Sequence, residues 1–226
     1  TGRILHVDKG KGGDALKTFW KKIKLSKVQI EAVSIDMSPA YLSAVVENLP
    51  KVPIVFDRFH VVKLFNEKLS NFRRDLYNHL SDSDEQKLIK GTRWLLLKNP
   101  ENLKDDKKEP ERLKKALEIN QPLPTVYYMK EELRQIWNQP DKETAKKVVS
   151  NWINLANVSN IPVLKKFAKT LSLHKIRISK HSSVFREWKS RKGEYGYSPY
   201  TNNTSSARII RWAAMDIQQM TIGLCN

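Results

Sequence analysis

The stretch IEAVSIDMSPAYLSAVVENLPKVPIVFD, residues 30–57, decides the fold of this chain. It opens with a β-branched apolar run that ends on Asp36, and it closes with a second apolar run that ends on Asp57. Between the runs, Ser38-Pro39 is typical of a helix start, and apolar residues then recur at helical spacing. A strand–helix–strand order predicts two parallel strands joined by a crossover helix. Because the carboxyl ends of parallel strands share one edge of a sheet, we expect both aspartates at that edge.

The flanking residues extend this pattern in both directions. Residues 1–7 read as a strand, and a helix with Phe19 and Trp20 on its apolar face follows. From residue 59 onward, amphipathic helical segments continue to about residue 172. Beyond residue 173 the periodicity is lost, with only a weak helical pattern at 207–220. The predicted fold class is α/β with a large helical region and an irregular C-terminal tail.

Charge points to the kind of partner. The chain has 41 Lys and Arg against 24 Asp and Glu, which gives a formal net charge of +17. Residues 1–60 contribute +4, residues 61–150 contribute +4, and residues 151–226 contribute +9. An excess of this kind is most simply explained by a partner with a phosphate backbone, although solubility alone is the alternative. Lys165, Lys166 and Lys169, next to Phe167, could line a DNA groove or form a solvated face.

Several classes of protein are excluded. A single cysteine, Cys225, rules out a disulfide framework, a thiolate zinc cluster and a CxxC redox site. No apolar run approaches the ~18–20 residues that span a membrane. The chain contains neither a GxxxxGK[ST] phosphate loop nor a GxSxG nucleophile elbow. The six tryptophans are spread along the chain, and those at apolar helical positions, Trp94 among them, are expected in the core.

Asp36 and Asp57 are the candidate chemical groups. A carboxylate held at a strand end suits Mg²⁺, which prefers oxygen ligands, but Asp36 could equally cap the following helix. Asp57 could be a second ligand, pair with Arg58 or cap the next helix, and His60 could position a phosphate or be structural. Two neighbouring carboxylates favour a cation between them, because like charges placed together are otherwise costly.

Residues 1–74 taken together resemble the bacterial DDE-type insertion-sequence transposases of the ISL-three family. The resemblance rests on a D-M-x-x-x-Y motif at Asp36 to Tyr41, a D-R-F-H-x-x-K motif at Asp57 to Lys63, and the distance between them. The Arg-Arg pair at 73–74 and TGRILHV at 1–7 also match. More loosely, the resemblance extends to about residue 172.

This resemblance implies a partial RNase-H-like fold, a mixed sheet with helices that is interrupted by a large helical insertion. The implied domains are a partial catalytic core at 1–60, a helical insertion at 61–172 and an atypical basic segment at 173–226. It implies DNA strand cleavage and strand transfer at insertion-sequence ends with Mg²⁺ or Mn²⁺. DNA is then the partner, the intact family acts as a homo-oligomer, and the location is the bacterial cytoplasm at the nucleoid.

The resemblance also assigns roles to residues. Asp36 matches the second aspartate of the acidic triad and is the expected catalytic residue and metal ligand, while Asp57 and His60 are supporting. The expected DNA contacts are Arg58, Lys63, Arg73, Arg74, Lys165, Lys166 and Lys169.

Two departures from the family pattern limit these expectations. The first triad aspartate lies on a strand upstream of TGRILHV, and the third acid lies in a Glu-Gly-x-Asn-Asn segment of which residues 201–203 are only an echo. We therefore expect a truncated catalytic domain, with a C-terminal segment that a frameshift would explain, and no transposition by this chain alone. The alternatives are a DNA-binding or dimerising remnant that modulates a full-length transposase, a nuclease that takes its third acid from Glu187 or Glu194, and a product without function.

Overall fold

The computed structural model describes residues 3–9, 13–26, 29–194, 208–214 and 219–225. Its backbone divides into two compact units. The sheet unit comprises residues 1–61 and 180–226, and the helical unit comprises residues 62–179. The helical unit is therefore inserted, in chain order, between two parts of the sheet unit.

In the part of the chain that the structure describes, five strands form one mixed sheet in the order β1-β5-β4-β2-β3. Pairing is antiparallel between β1 and β5 and between β5 and β4, and parallel between β4 and β2 and between β2 and β3. The strands are β1 (Arg3–Lys9), β2 (Ile30–Ile35), β3 (Ile54–Phe56), β4 (Arg208–Ala214) and β5 (Gln219–Cys225). The predicted α/β class and the predicted parallel pair are confirmed.

The parallel pair is held by buried apolar residues. Val33, Ile35 and Val55 are each fully buried, as expected for strands with both faces covered. The sheet unit also contains α1 (Lys17–Leu25), which precedes β2, and α2 (Pro39–Asn48), which connects β2 to β3. Helix α2 begins with the expected proline in its first turn.

Within the described residues, seven further α-helices follow β3 in the chain. They are α3 (Arg58–His79), α4 (Ser83–Gly91), α5 (Arg93–Leu97), α6 (Glu109–Glu118), α7 (Pro122–Gln135), α8 (Lys142–Val158) and α9 (Pro162–Glu194). Helices α3 and α9 each run from one unit into the other along the chain. No helix in the described ranges is both long enough and apolar enough to cross a lipid bilayer.

Three aromatic rings form the centre of the helical unit. Phe65 on α3 meets Phe167 on α9 edge to face, with ring centroids 4.9 Å apart. Trp152 on α8 contacts both of these rings, at 5.8 Å from Phe65 and 5.5 Å from Phe167. The indole Nε1 of Trp152 donates a hydrogen bond to the Met129 carbonyl at 2.8 Å, so its polar atom is satisfied despite burial.

A buried lysine fixes the end of α5. Lys130 on α7 is 2% exposed and donates to the carbonyls of Leu96 at 2.8 Å and Lys98 at 2.7 Å. Burial lowers the pKa of Lys130, while Glu131, 2.8 Å away, opposes that shift. The Lys130 ammonium group thus donates hydrogen bonds to carbonyls that the short helix leaves without a backbone partner.

The prediction of an irregular tail beyond residue 173 is wrong for the described part of that segment. Helix α9 continues to Glu194, because no proline or glycine interrupts residues 163–192 and its face is buried again at Ile178 and Ser179. The helix that a weak pattern predicted at 207–220 is also absent from the described residues, since β4 and the start of β5 form there. Pairing of β4 with β2 and of β5 with β1 satisfies those backbone groups, and such tertiary pairing overrides a weak local preference. The echo at residues 201–203 lies outside the described residues.

Replacing Phe167 with alanine should destabilise the helical unit by about 3–5 kcal/mol, because it removes a buried ring from between two others and leaves a cavity. Urea unfolding followed by tryptophan fluorescence measures the loss. Leu173→Ala on the same helix is the matched control, because Leu173 is 77% exposed, and it should change stability by less than about 0.5 kcal/mol. Equal losses for the two variants would contradict the packing described.

Candidate functional site

Two aspartates stand side by side at the carboxyl ends of β2 and β3. Ile35 pairs with Phe56 in the parallel register, and each aspartate is the next residue along its strand. The pairing continues one step, since the backbone N–H of Asp57 donates to the carbonyl of Ile35 at 2.9 Å. The arrangement at the sheet edge is therefore the one that the strand order predicted.

Asp36 keeps part of its carboxylate available. Its Oδ1 accepts a hydrogen bond from the backbone N–H of Ser38 at 2.8 Å, a turn that precedes α2, whose N-cap residue is Ser38 and not Asp36. The residue is half-buried, and its Oδ2 has no hydrogen-bond partner within the described residues. One carboxylate oxygen at the strand end therefore remains open to a further ligand.

Tyr41 brings the second half of the D-M-x-x-x-Y motif to the same place. It lies on α2 and is 2% exposed. Burial raises the pKa of the Tyr41 phenol, and the negative charge of Asp36 raises it further. The motif spacing of five residues therefore places a neutral phenol within electrostatic range of the Asp36 carboxylate.

Asp57 is more deeply buried than Asp36, and both of its carboxylate oxygens have partners in the protein. It is 3% exposed, and its Oδ1 accepts from the backbone N–H of Phe59 at 3.0 Å, so that it caps the first turn of α3. Its Oδ2 lies 3.7 Å from Nδ1 of His60, an ion pair when the imidazole is protonated. The His60 ring is also met edge-on by Phe59, whose side chain is 62% exposed. These contacts suit a group that positions its neighbours.

These groups alone do not make up a complete metal site. A two-metal centre for phosphoryl transfer needs several oxygen ligands around ions that lie about 3.5–4 Å apart. Within the described residues, no group of three or more His, Cys, Asp or Glu side chains could hold a metal ion. Asp36 offers one open oxygen, which fits a single coordination position.

The seven predicted DNA contacts lie on two helices, α3 and α9. Arg58 begins α3 in the sheet unit, whereas the other six residues belong to the helical unit, on α3 and α9. Lys166 and Lys169 are exposed on α9, while Nζ of Lys165 donates to Oδ1 of Asn160 at 2.8 Å. Arg73 is half-buried and donates from Nη1 to the Ile89 carbonyl at 3.2 Å.

The expectation that Trp94 lies in the core is wrong. Trp20, Trp137 and Trp152 are buried as expected, but Trp94 is 65% exposed. The α5 helix has only five residues, so its buried face is fully provided by Leu95 and Leu96, which leaves Trp94 outside. No local sequence signal indicates this exposure, since a cation, Lys166, also precedes Phe167, which is fully buried.

The chain is similar to known proteins over most of its length. A family model described as a transposase, of the DDE type named for ISL-three, matches residues 1–185. The match extends past residue 172, where the resemblance drawn from the sequence motifs ended. No solved structure matches this chain significantly.

Two curated relatives match over most of this chain. The transposase for insertion sequence element IS1001 of Bordetella parapertussis is 35% identical over 172 residues, which are 75% of this chain and 42% of that protein. The transposase for insertion sequence element IS1557 of Mycobacterium tuberculosis is 25% identical over 201 residues, 79% of this chain and 45% of that protein. The chain spans less than half the length of these relatives.

Removing the Asp57 carboxylate should reduce stability chiefly because the start of α3 loses its cap. Asp57→Ala should destabilise the fold by about 1–2 kcal/mol, since the Phe59 N–H is left without its acceptor. Asp57→Asn keeps an oxygen at that position and should lose clearly less. Urea unfolding followed by far-ultraviolet circular dichroism measures both. Equal losses for the two variants would show that the hydrogen bond to Phe59 is not what Asp57 contributes.

Proposed function

Because this chain belongs to the ISL-three family of DDE transposases, we propose that it is part of a transposase catalytic domain. In the intact protein, the activity proposed is cleavage and strand transfer of DNA at insertion-sequence ends. The observation that supports this most directly is Asp36, which stands at the carboxyl end of a buried parallel strand with one carboxylate oxygen open.

We propose an RNase-H-like arrangement for the sheet unit. Its support is a mixed sheet with parallel strands at one side and a helical unit inserted between residues 61 and 180. On this assignment, residues 1–60 are the partial catalytic core and residues 61–172 form the insertion. Helix α9 then returns the chain to the sheet unit and provides its re-entry from residue 180.

Divalent metals are generally used by this family of transposases. We propose that Asp36 contributes one oxygen ligand to Mg²⁺ or Mn²⁺, and that such an ion, when bound, stabilises charge on the phosphate under attack. Tyr41 remains neutral, because burial and the charge of Asp36 both raise the pKa of its phenol. Asp57 and His60 hold the start of α3 in place, which fixes the geometry at the neighbouring strand end. Since one open ligand is too few for a metal pair, no catalytic step is assigned to this chain alone.

DNA is the proposed partner. The exposed cations Lys63, Arg74, Lys166 and Lys169 have the character of phosphate ligands, and Arg58, Arg73 and Lys165 lie on the same helices. Homo-oligomerisation and a place in the bacterial cytoplasm at the nucleoid belong to the same proposal. Neither depends on catalysis by this chain.

A second candidate function is a non-catalytic remnant that binds DNA or a full-length transposase and modulates it. The incomplete metal cluster among the described residues favours this candidate. The two candidates share the DNA surface and differ in whether Asp36 ever acts on a phosphate. Both candidates leave the isolated chain without cleavage activity, so binding of a metal ion at Asp36 is what separates them.

The purified chain should bind a supercoiled plasmid without nicking it in Mg²⁺ or Mn²⁺. Binding should fall steeply between about 50 mM and 200 mM salt, because neutralising DNA phosphates releases counterions. The double substitution Lys166→Ala and Lys169→Ala should reduce the salt slope by about 2, one for each phosphate that is no longer neutralised. Gel shift and plasmid relaxation assays, with and without EDTA, measure the two properties.

Lys146 and Lys147 on α8 offer a matched control, because they are exposed lysines close to acidic residues, Glu143 for Lys146 and Asp141 for Lys147. Replacing both with alanine should leave the salt slope unchanged. No binding at all would overturn the DNA assignment. Metal-dependent nicking that Asp36→Asn abolishes would instead show that this chain is active, with its missing acids supplied by residues such as Glu187 or Glu194.

A further inference from the structure

An exposed tryptophan stands beside an arginine at the start of α5. Trp94 is 65% exposed, and the guanidinium carbon of Arg93 lies 4.8 Å from the centroid of its ring. Single exposed apolar side chains are ordinary on protein surfaces, so it is the guanidinium beside this ring that matters here. The pair presents one flat aromatic surface with a positive charge against it.

Further arginines gather at the junction between α4 and α5. Nη1 of Arg73 donates to the Ile89 carbonyl at 3.2 Å, and Nη2 of Arg112 lies 3.5 Å from the Gly91 carbonyl. Both carbonyls are at the C-terminal end of α4, where the partial negative charge of the helix attracts cations. These two contacts explain the positions of Arg73 and Arg112, but each uses only one guanidinium nitrogen of its arginine.

The charges of these arginines act on one another. The pKa of Arg73 is lowered, first by burial and then by the positive charges of Arg93 and Arg74. Its Nε atom is buried and has no hydrogen-bond partner among the described residues. Within the described part of the chain, none of Arg73, Arg74, Arg93 and Arg112 forms an ion pair with a carboxylate.

The contrast with Arg134 in the same unit shows that this arrangement is unusual. Arg134 lies 2.7 Å from Glu101 and 2.7 Å from Glu131, so its charge is fully offset. Like charges that gather without a counter-charge repel one another, and an anionic ligand would relieve that repulsion. Guanidinium groups match the geometry of phosphate oxygens and can bind them in pairs.

We propose that the Arg-Trp surface, formed by Arg73, Arg74, Arg93, Trp94 and Arg112, binds single-stranded DNA. The guanidinium groups take the phosphates and an unstacked base lies on the Trp94 ring, the combination by which proteins hold unpaired strands. Duplex DNA fits this surface less well, because its bases are stacked on one another and cannot reach a protein ring. The inference rests on the proposed function, since strand cleavage is the step that leaves unpaired ends.

Fluorescence anisotropy with the full chain tests this surface. The probes are a labelled thymidine oligonucleotide of about 12 nucleotides, near the length such grooves hold, and a duplex of equal length. Trp94→Ala should weaken binding of the single strand by about tenfold, the effect of losing one stacked base, and should change duplex binding less than about twofold. Trp94→Phe should restore most of the affinity, because it keeps a stacking ring.

The charged half of the surface has its own variant. The double substitution Arg74→Ala and Arg93→Ala should weaken the single strand and lower the salt slope by about 2. Tyr128→Ala is the aromatic control, since Tyr128 is 60% exposed on α7, and the pair Lys146→Ala with Lys147→Ala is the charge control. Neither control should change single-strand affinity.

Photocrosslinking gives a readout that does not depend on a folded variant. A 5-bromodeoxyuridine oligonucleotide should crosslink to the wild-type chain at Trp94, located by mass spectrometry. A crosslink elsewhere, or equal affinity of Trp94→Ala and wild type for the single strand, would overturn the inference while leaving the proposed function in place. Failure of the wild-type chain to bind either probe would overturn the proposed function as well.

Discussion

The hydrogen bond from the Asp57 backbone N–H to the Ile35 carbonyl, 2.9 Å long, is the contact on which the candidate site depends. It carries the parallel pairing of β2 and β3 one step beyond the strands and so fixes the two aspartates next to each other. The register leaves no freedom at this point, because a slip of one residue would turn every side chain of a strand to the opposite face. Such a slip would also carry Asp36 away from its place next to Asp57.

The same local geometry gives the two carboxylates different roles. Each uses Oδ1 to accept a backbone N–H two residues later, which caps the first turn of α3 for Asp57 but lies before the first turn of α2 for Asp36. The second oxygens also differ, because Oδ2 of Asp57 is buried near His60, whereas Asp36 is half-buried with its Oδ2 open. Capping and metal binding were competing interpretations of Asp36 in the sequence. In the structure Ser38 is the N-cap residue of α2, and the hydrogen bond that Asp36 accepts from it leaves Oδ2 of Asp36 for a ligand.

Sequence patterns were sufficient where the relevant interactions are local. The apolar runs at 30–35 and 54–56, the proline at the start of α2 and the strand-end aspartates follow from residue spacing alone. The length of α9, the strands β4 and β5 and the exposure of Trp94 could not be predicted in this way. Each depends on contacts between residues far apart in the chain, such as the pairing of β4 with β2 or the packing that buries Leu95 and Leu96 in place of Trp94. The arginine cluster was missed for the same reason, since Arg73, Arg93 and Arg112 come from three helices.

Paramagnetic broadening by Mn²⁺ in the nuclear magnetic resonance spectrum of the isotope-labelled chain tests the central claim most directly, because it locates a bound ion without requiring activity. We expect the amide signals of Asp36 and its neighbours to broaden first, at millimolar Mn²⁺ because one carboxylate binds weakly. Asp36→Asn should abolish the effect, and Asp57→Asn should preserve it. Broadening that persists unchanged in Asp36→Asn, or that centres on another part of the chain, would contradict the assignment of Asp36 as the metal ligand.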